Sequence, residues 1–350
     1  MHAREWLSPA TIIYVIDHLI KFSRNDPRVK RLLDNHEIYF LPVANPDGYQ
    51  FSRTDESLFS LTSKPNTSCC LSVYTGLWRK TTSTSTSIEP FPCIGVDANR
   101  NFGVQWGKYK ITRDPCSNQY AGEKAFSEPE TKALADFVYA DRQKWLAYFS
   151  IHSYSQIWLI PYSLGGGMKP WDYDELKRVA EIGISAMEGA TIRRWKVWEA
   201  GNSESLTYQC TGTSDDWAKG VVGIKYSYTL ELFPDAELQN YDGVEYEEVY
   251  PNRETTTSNF LVLFGKVFGP FKMPKVYNGF ITSESEIPNS GREVVAALLA
   301  SVEVMQIPVE KNQADLQVYA ESIAFIFFLN IFPILLICSF FIISILFRHE

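Results

Sequence analysis

Histidine is scarce in this chain: five residues in 350, His2, His18, His36, His152 and His349. A site that needs several imidazoles has few donors to draw on. Positive charge is short as well. Lys and Arg total 33 against 41 Asp and Glu, a formal net charge of −8. That balance argues against a nucleic-acid partner and mildly favours basic ligands. Cysteine is limited to six residues, and Cys69, Cys70, Cys210 and Cys338 have no partner that the sequence identifies. At 350 residues there is length for one large α/β domain plus extras. Ile323 to Phe347 is an almost unbroken apolar run, closed by Arg348, His349 and Glu350. It is long enough to span a bilayer, with Asn330 and Pro333 as its main interruptions.

The chemistry begins at the second residue. In His2-Ala3-Arg4-Glu5, an imidazole and a carboxylate three residues apart can converge on one divalent metal while Arg4 points elsewhere. Imidazole with carboxylate suits zinc, and a catalytic zinc takes three protein ligands and leaves a fourth position for water. The third ligand, a histidine, should come from far along the chain. His152 is placed for it, because it ends the apolar run Trp145 to Ile151. That run reads as a buried parallel strand, and active sites of open α/β sheets lie at the carboxyl ends of such strands.

Elsewhere the pattern alternates helix and strand. Ser8-Pro9 predicts an N-cap and first turn, followed by a helix with a broad apolar face from Ile12 to Ile20, in which His18 is structural. Glu37 to Val43 reads as a strand ending in the turn Asn45-Pro46-Asp47-Gly48. Residues 55–76 and 81–92, rich in Ser and Thr, read as surface loops, and Asn66-Thr67-Ser68 is a glycosylation sequon. Ser127 should cap a helix to about Arg142. Further strands are expected at Gln156 to Pro161 and Ile224 to Leu232, with helices at Asp172 to about Ala190 and about Ser290 to Val304. The sum is a single α/β domain with a mixed, mostly parallel central sheet flanked by helices.

Five ordered motifs resemble the zinc metallocarboxypeptidases of the pancreatic A/B type. They are His2-Ala3-Arg4-Glu5-Trp6; Leu77-Trp78-Arg79-Lys80; Gly95-Val96-Asp97-Ala98-Asn99-Arg100-Asn101-Phe102; Ser150-Ile151-His152-Ser153-Tyr154-Ser155-Gln156; and Ile224-Lys225-Tyr226-Ser227-Tyr228-Thr229-Leu230-Glu231-Leu232, preceded by Tyr208. The likeness runs from His2 to about Leu232 and resumes near Gly279. A His2, Glu5, His152 ligand set is therefore the known one of that family, recognised here and not discovered. The resemblance implies one Zn2+ per chain and an exopeptidase acting on peptide or protein C-termini. Asp97 would receive the second ring N–H of His2. Glu231 would be the general base and Arg79 the holder of the oxyanion. Asn99, Arg100 and Tyr208 would capture the free terminal carboxylate, with Arg4 and Tyr154 in neighbouring subsites. Asp215 falls where A-type enzymes are apolar and B-type enzymes carry an aspartate. A carboxylate there favours terminal Arg or Lys, and Ser163 and Ser203, near other pocket positions, do not oppose it. Cys93 and Cys116 stand at the spacing of a family disulfide, which with the sequon fits a secretory route and an extracellular or cell-surface location.

Against the family's pattern, the chain lacks the signal peptide, pro-segment and first strands expected before His2, so an N-terminally truncated form or incomplete gene model is expected. An insertion of roughly 40 residues at about 233–278 follows the base, judged by where the Gly279-Phe280 pair falls in an otherwise short charged turn. The predicted layout is a catalytic domain over 1–305, a linker over 306–322 and a membrane segment over 323–347. The rival reading is a catalytically inactive, membrane-tethered peptide-binding or adhesion protein on the same fold. Retention of both Glu231 and Arg79, which a decayed binding module need not keep, favours the enzyme.

Overall fold

Residues 226–232 alternate large apolar and polar side chains, Tyr-Ser-Tyr-Thr-Leu-Glu-Leu, a pattern that an extended backbone sends to opposite faces. The computed structural model, which describes residues 1–53, 78–84, 93–108, 112–191, 198–235, 246–249, 271–274, 280, 284 and 286–305, builds its sheet around this segment. The central strands are β1 (Ala147–Ser155), β2 (Ile157–Ile160), β3 (Glu199–Asn202) and β4 (Tyr226–Asp235). Their order is β1-β4-β2-β3, with β1–β4 and β2–β3 parallel and β2–β4 antiparallel. The mixed, mostly parallel sheet expected from the sequence is what forms.

One face of β4 makes the main core. Tyr226, Tyr228, Leu230 and Leu232 are buried there with Trp158 and Ile160 of β2. Helices α1 (Leu7–Phe22), α2 (Pro27–Asn35), α5 (Tyr173–Ala190) and α6 (Glu286–Val304) contribute Val15, Val29, Leu176 and Val294 to the same cluster. Two phenols tie sheet to helix: Tyr226 donates to Glu175 Oε1 at 2.9 Å and Tyr228 to the Leu176 carbonyl at 3.0 Å. The opposite face of the sheet carries Ser227, Thr229 and Glu231, continued on β1 by Ser150 and His152. Beyond it a second apolar cluster packs Phe102, Tyr162, Trp217 and Ile224 against α4 (Pro129–Ala140). The polar residues of β1 and β4 are thus enclosed between two cores.

Several local expectations are corrected. Ser8 is not the N-cap; α1 starts at Leu7 after Trp6, and the buried Ser8 hydroxyl has no hydrogen-bond partner among the described residues. The apolar face of α1 is narrower than predicted, since Ile13 is 56% and Ile20 69% exposed. Residues 37–43 form no strand among the described residues, with a bend at Pro42, although Ile38 and Phe40 pack on the core. The predicted turn at Asn45 is the start of a helix, α3 (Pro46–Ser52), with the Asn45 side chain accepting from the Gly48 amide at 3.0 Å. Glu128, not Ser127, precedes α4, because Pro129 takes its first position. His18 stacks between Tyr14 and Phe22 on α1. Strand β3 is too short, at four residues, for a periodic signal to reveal it.

The sequon at Asn66, Cys69, Cys70 and Cys338, Leu77, Gly279, the linker 306–322 and the apolar run 323–347 lie outside the described residues. Of the supposed insertion, a two-stranded antiparallel ribbon pairs Tyr246–Val249 with Phe271–Pro274. Among the described residues no helix is long and apolar enough to cross a membrane.

Helix α5 lies so close to β2 that a Cβ on Gly183 would meet the Trp158 ring at 2.4 Å, while one on Gly189 meets nothing within 4 Å. Gly183→Ala should therefore lower stability by about 1–3 kcal/mol through overpacking. Gly189→Ala should raise it by about 0.5–1 kcal/mol by removing helix-opposing chain entropy. Urea midpoints that moved in the same direction for both would show that α5 does not pack as described.

Candidate active site

The turn that precedes α1 shapes the first half of the site. The Glu5 amide donates to the His2 carbonyl at 3.2 Å, closing a turn that brings both side chains to one side, while the Ala3 amide pins the segment to the Arg79 carbonyl at 3.1 Å. His152 enters from β1, lying three residues inside the strand and not at its end as predicted, because β1 runs on to Ser155 alongside β4.

His2, Glu5 and His152 converge. His2 Nδ1 lies 2.6 Å from Glu5 Oε1, His152 Nδ1 lies 2.7 Å from Glu5 Oε2, and the two Nδ1 atoms are 3.2 Å apart. All three residues are buried, and among the described residues they form the group of side chains able to hold a metal. Two imidazole nitrogens on one tetrahedral zinc, each at about 2.0–2.1 Å, stand about 3.3 Å apart. The donor set and spacing therefore fit zinc. The outer ring nitrogens are also held: His2 Nε2 by Asp97 Oδ1 at 3.1 Å and His152 Nε2 by Ser150 Oγ at 3.0 Å. Burial, reinforced by Arg79, lowers His2 to about 4, which leaves its imidazole neutral, as metal ligation requires. Burial works against ionisation of Glu5, but the facing imidazoles hold its carboxyl well below the usual range.

Asp97 is fully buried at the start of a 3-10 turn, Ala98–Arg100. Besides His2, it accepts from the Asn99 amide at 3.0 Å and from Arg79 through Nε at 2.8 Å and Nη2 at 2.7 Å. Burial is opposed by Arg79, His2 and Arg100, and the carboxyl stays well below the usual range. Arg79 thus keeps its Nη1 edge for another partner. Arg100 donates to the Tyr208 hydroxyl at 2.7 Å and to the Asn99 carbonyl at 2.7 Å. The Asn99 side chain accepts from the Ser214 amide at 2.9 Å, which draws the Tyr208–Asp216 stretch onto the Asn-Arg turn. That stretch packs too closely for any side chain at Gly212 (φ +76°), whose Cβ would lie 2.2 Å from the Arg100 carbonyl oxygen.

The strand register places Glu231 beside the His2, Glu5 and His152 trio. Glu231 of β4 is the partner of His152 in the β1–β4 ladder, and partners in parallel register share a face. Glu231 is only partly buried, yet the surrounding protein excludes enough water to push its carboxyl well above the ordinary range. Glu5 adds to the rise, and Arg79 and Arg100 oppose it.

Asp215 and Asp216 occupy one helical turn, Ser214–Trp217, both buried. They are not equivalent. Asp216 Oδ2 accepts from the Ser163 amide at 2.8 Å, and burial together with Asp215 pushes the Asp216 carboxyl well above the usual range. The Asp215 carboxylate has no hydrogen bond or ion pair among the described residues. Ser203 donates to the Ile160 carbonyl at 3.0 Å, a structural contact. Cys93 and Cys116 form a disulfide with Cα atoms 4.9 Å apart, and Cys210 is a free, buried thiol.

Arg4 lies with its guanidinium 4.1 Å above the Phe280 ring, which also meets Tyr154 edge-on at 4.9 Å. The sequence therefore nominates residues that the fold brings together: the ligand trio, Asp97, Arg79 and Glu231 on one side, and Asn99, Arg100, Tyr208 and Asp215 on the other. Two contacts escaped it. Phe280 served only as a landmark, and its role as the platform under Arg4 depends on a long-range approach. Ser150 carries a signal in the sequence, since a residue two before His152 in a strand shares its face.

The profile of the zinc carboxypeptidase family matches residues 1–297. Zinc carboxypeptidase A 1 of Anopheles gambiae is 35% identical over 263 residues, 75% of this chain and 54% of that protein. Carboxypeptidase B of Rattus norvegicus is 38% identical over 231 residues, 66% of this chain and 49% of that protein. The chain thus spans about half the length of these curated relatives. Bovine thrombin-activatable fibrinolysis inhibitor, solved in complex with tick carboxypeptidase inhibitor, superposes with a TM-score of 0.62 at 28% identity, covering 86% of this chain and 78% of that one. With the zinc-compatible trio, the buried Asp97 and the family profile over most of its length, this chain belongs to the zinc carboxypeptidase family.

Proposed function

We propose that the protein is a zinc exopeptidase that hydrolyses the C-terminal peptide bond of peptides or proteins and prefers terminal Arg or Lys. The observation that carries the reading is the convergence of His2, Glu5 and His152 with Glu231 one strand away in register. His2, Glu5 and His152 would hold one Zn2+, which when bound supplies Lewis acidity to the attacking water and the scissile carbonyl. Glu231, its proton affinity raised by its surroundings, takes a proton from that water as the oxygen adds to the carbonyl carbon. Arg79, fixed by Asp97, presents its free edge to the oxyanion that forms. The C–N bond then breaks, and the same proton passes from Glu231 to the leaving amine, giving a new carboxylate and a free amino acid. Asn99, Arg100 and Tyr208 bind the terminal carboxylate in this scheme, which restricts cleavage to the chain end, and Arg4 and Tyr154 line the approach.

Basic preference rests on Asp215. A- and B-type relatives match at similar identity, 35% and 38%, so likeness alone does not choose between them. A buried carboxylate without a partner is costly, and a substrate ammonium or guanidinium would relieve the cost. The disulfide supports a secretory, extracellular setting, and the apolar run 323–347 supports a membrane tether for the chain.

Three outcomes test these roles. Glu231→Gln should lower kcat by about 10²–10⁴-fold with zinc content unchanged, because it removes a base and not a ligand; activity within about tenfold of the parent would refute the role. Asp215→Ile should cut kcat/KM for peptides ending in Arg by about 100-fold, ~2.7 kcal/mol, and raise it for those ending in Leu. A parent enzyme that favours Phe ends would sink the basic preference. Carbonate extraction should leave the full chain in the membrane pellet, and its release as soluble protein would end the tether reading.

A further inference from the structure

The two imidazoles of the site are held by unlike partners. His2 Nε2 meets the Asp97 carboxylate, a charged acceptor, whereas among the described residues His152 Nε2 meets the uncharged Ser150 hydroxyl at 3.0 Å. Ser150 is itself buried and approached from the other side by the Ser214 hydroxyl, which donates to it at 3.4 Å. Ser214 is fully buried, its amide donates to Asn99 Oδ1 at 2.9 Å, and the next residue is Asp215.

The geometry points to Ser150 as a positioning residue for the metal ligand His152, with Ser214 as the link that joins it to the substrate pocket. The argument is one of tautomers. For His152 Nδ1 to offer a lone pair to zinc, the ring proton must sit on Nε2, and a proton there in a dry site needs an acceptor. Ser150 Oγ is that acceptor, and it faces His152 because residues two apart in β1 share a face. A hydroxyl that already receives the Ser214 proton has its oxygen fixed in place, so the imidazole plane is set by a chain and not by one rotatable group. The same residue, Ser214, holds Asn99 through its backbone and precedes Asp215. The loop that would read the terminal residue and the imidazole that would hold the metal are therefore joined by two side-chain hydrogen bonds. This inference rests on the proposed ligand role of His152.

The test compares Ser150→Thr with Ser150→Val in the full chain. Both side chains are β-branched and suited to a strand, so the pair differs chiefly in the hydroxyl. Zinc affinity by competition with a chromophoric chelator should be about 10- to 100-fold weaker in Val than in Thr, the range for losing a ligand's outer partner. The visible spectrum of the Co2+-loaded protein should change in Val and be retained in Thr. Affinities for Thr and Val equal within about twofold, with matching spectra, would overturn the role of Ser150. Ser214→Ala should weaken zinc binding by a smaller factor; an unchanged affinity would remove the link to the pocket. His152→Ala separates this inference from the reading beneath it. Zinc retained there would refute the ligand assignment itself, whereas zinc lost there but kept in Ser150→Val would refute only the positioning role.

Discussion

Everything at the site depends on one buried carboxylate. Asp97 has no exposed surface, and a charge so placed costs several kcal/mol unless it is fully compensated. Its compensation is the architecture. One oxygen takes His2 Nε2 and the Asn99 amide, the other takes Arg79. Those donors come from three segments: the turn before α1, the loop that carries Arg79, and the Asn-Arg turn itself. Removing any donor would leave the charge under-solvated, so the three segments hold each other in register. A structural requirement, satisfying Asp97, thereby orients the His2 imidazole, one edge of Arg79 and the backbone of Asn99 together.

The sheet solves a different problem, how to keep a polar site rigid without spoiling a core. Strand β4 does it by strict alternation. Tyr226, Tyr228, Leu230 and Leu232 anchor the strand in the main cluster, and Ser227, Thr229 and Glu231 project the other way. The anchoring residues fix the height of Glu231 along β4, and the β1–β4 register fixes it beside His152. A shift of one residue would turn Glu231 into the core and Leu232 into the site, a double penalty that no near-native arrangement escapes. Ser227 extends the logic by donating to the Asp215 carbonyl at 2.8 Å, so the same strand face also supports the turn bearing the pocket aspartates.

What could be read from the sequence follows the range of the forces involved. Strands β1, β2 and β4, helix α5 and the ligand trio are legible because periodicity and residue chemistry are local signals. Asp172 precedes α5, as its position in the sequence suggests. Ser8 misled because a Ser-Pro pair predicts a cap only when the hydroxyl is free to turn back, and here Ser8 is already inside the first turn, buried. Residues 37–43 have the composition of a strand, but a strand also needs a neighbour, and composition does not report one. Glu231 is the third polar residue of an alternating face, after Ser227 and Thr229, a pattern open to view in the sequence. Phe280 under Arg4 and the Ser150–Ser214 contact depend on segments 276 and 64 positions apart, by subtraction of their residue numbers, and no local pattern encodes such meetings.

The balance of charges around the pocket gives the strongest physical reason for its proposed ligand. Asp97 is neutralised by Arg79, and Glu5 faces two imidazoles. Along the Asn99–Ser214 seam, Arg100 and Asp215 have no ion-pair partner among the described residues. Arg100 donates to a phenol and a carbonyl but meets no carboxylate among the described residues, and its buried Nε has no partner. Asp215 is buried at 3% exposure, and its carboxylate has no hydrogen bond or ion pair among the described residues. They cannot cancel each other at contact distance, because no ion pair joins them, yet both sit along the Asn99–Ser214 seam. An apolar chain end would satisfy only the guanidinium, and an acidic one would set a second carboxylate against Asp215. A chain end that carries its carboxylate at one end and a cation several bonds away satisfies both groups at once, and in low dielectric each pairing gains where an unpaired charge would lose. Arg100, with no carboxylate partner among the described residues, and the Asp215 carboxylate, with none there either, therefore support the proposed preference for a C-terminal arginine or lysine, a ligand that holds two opposite charges apart.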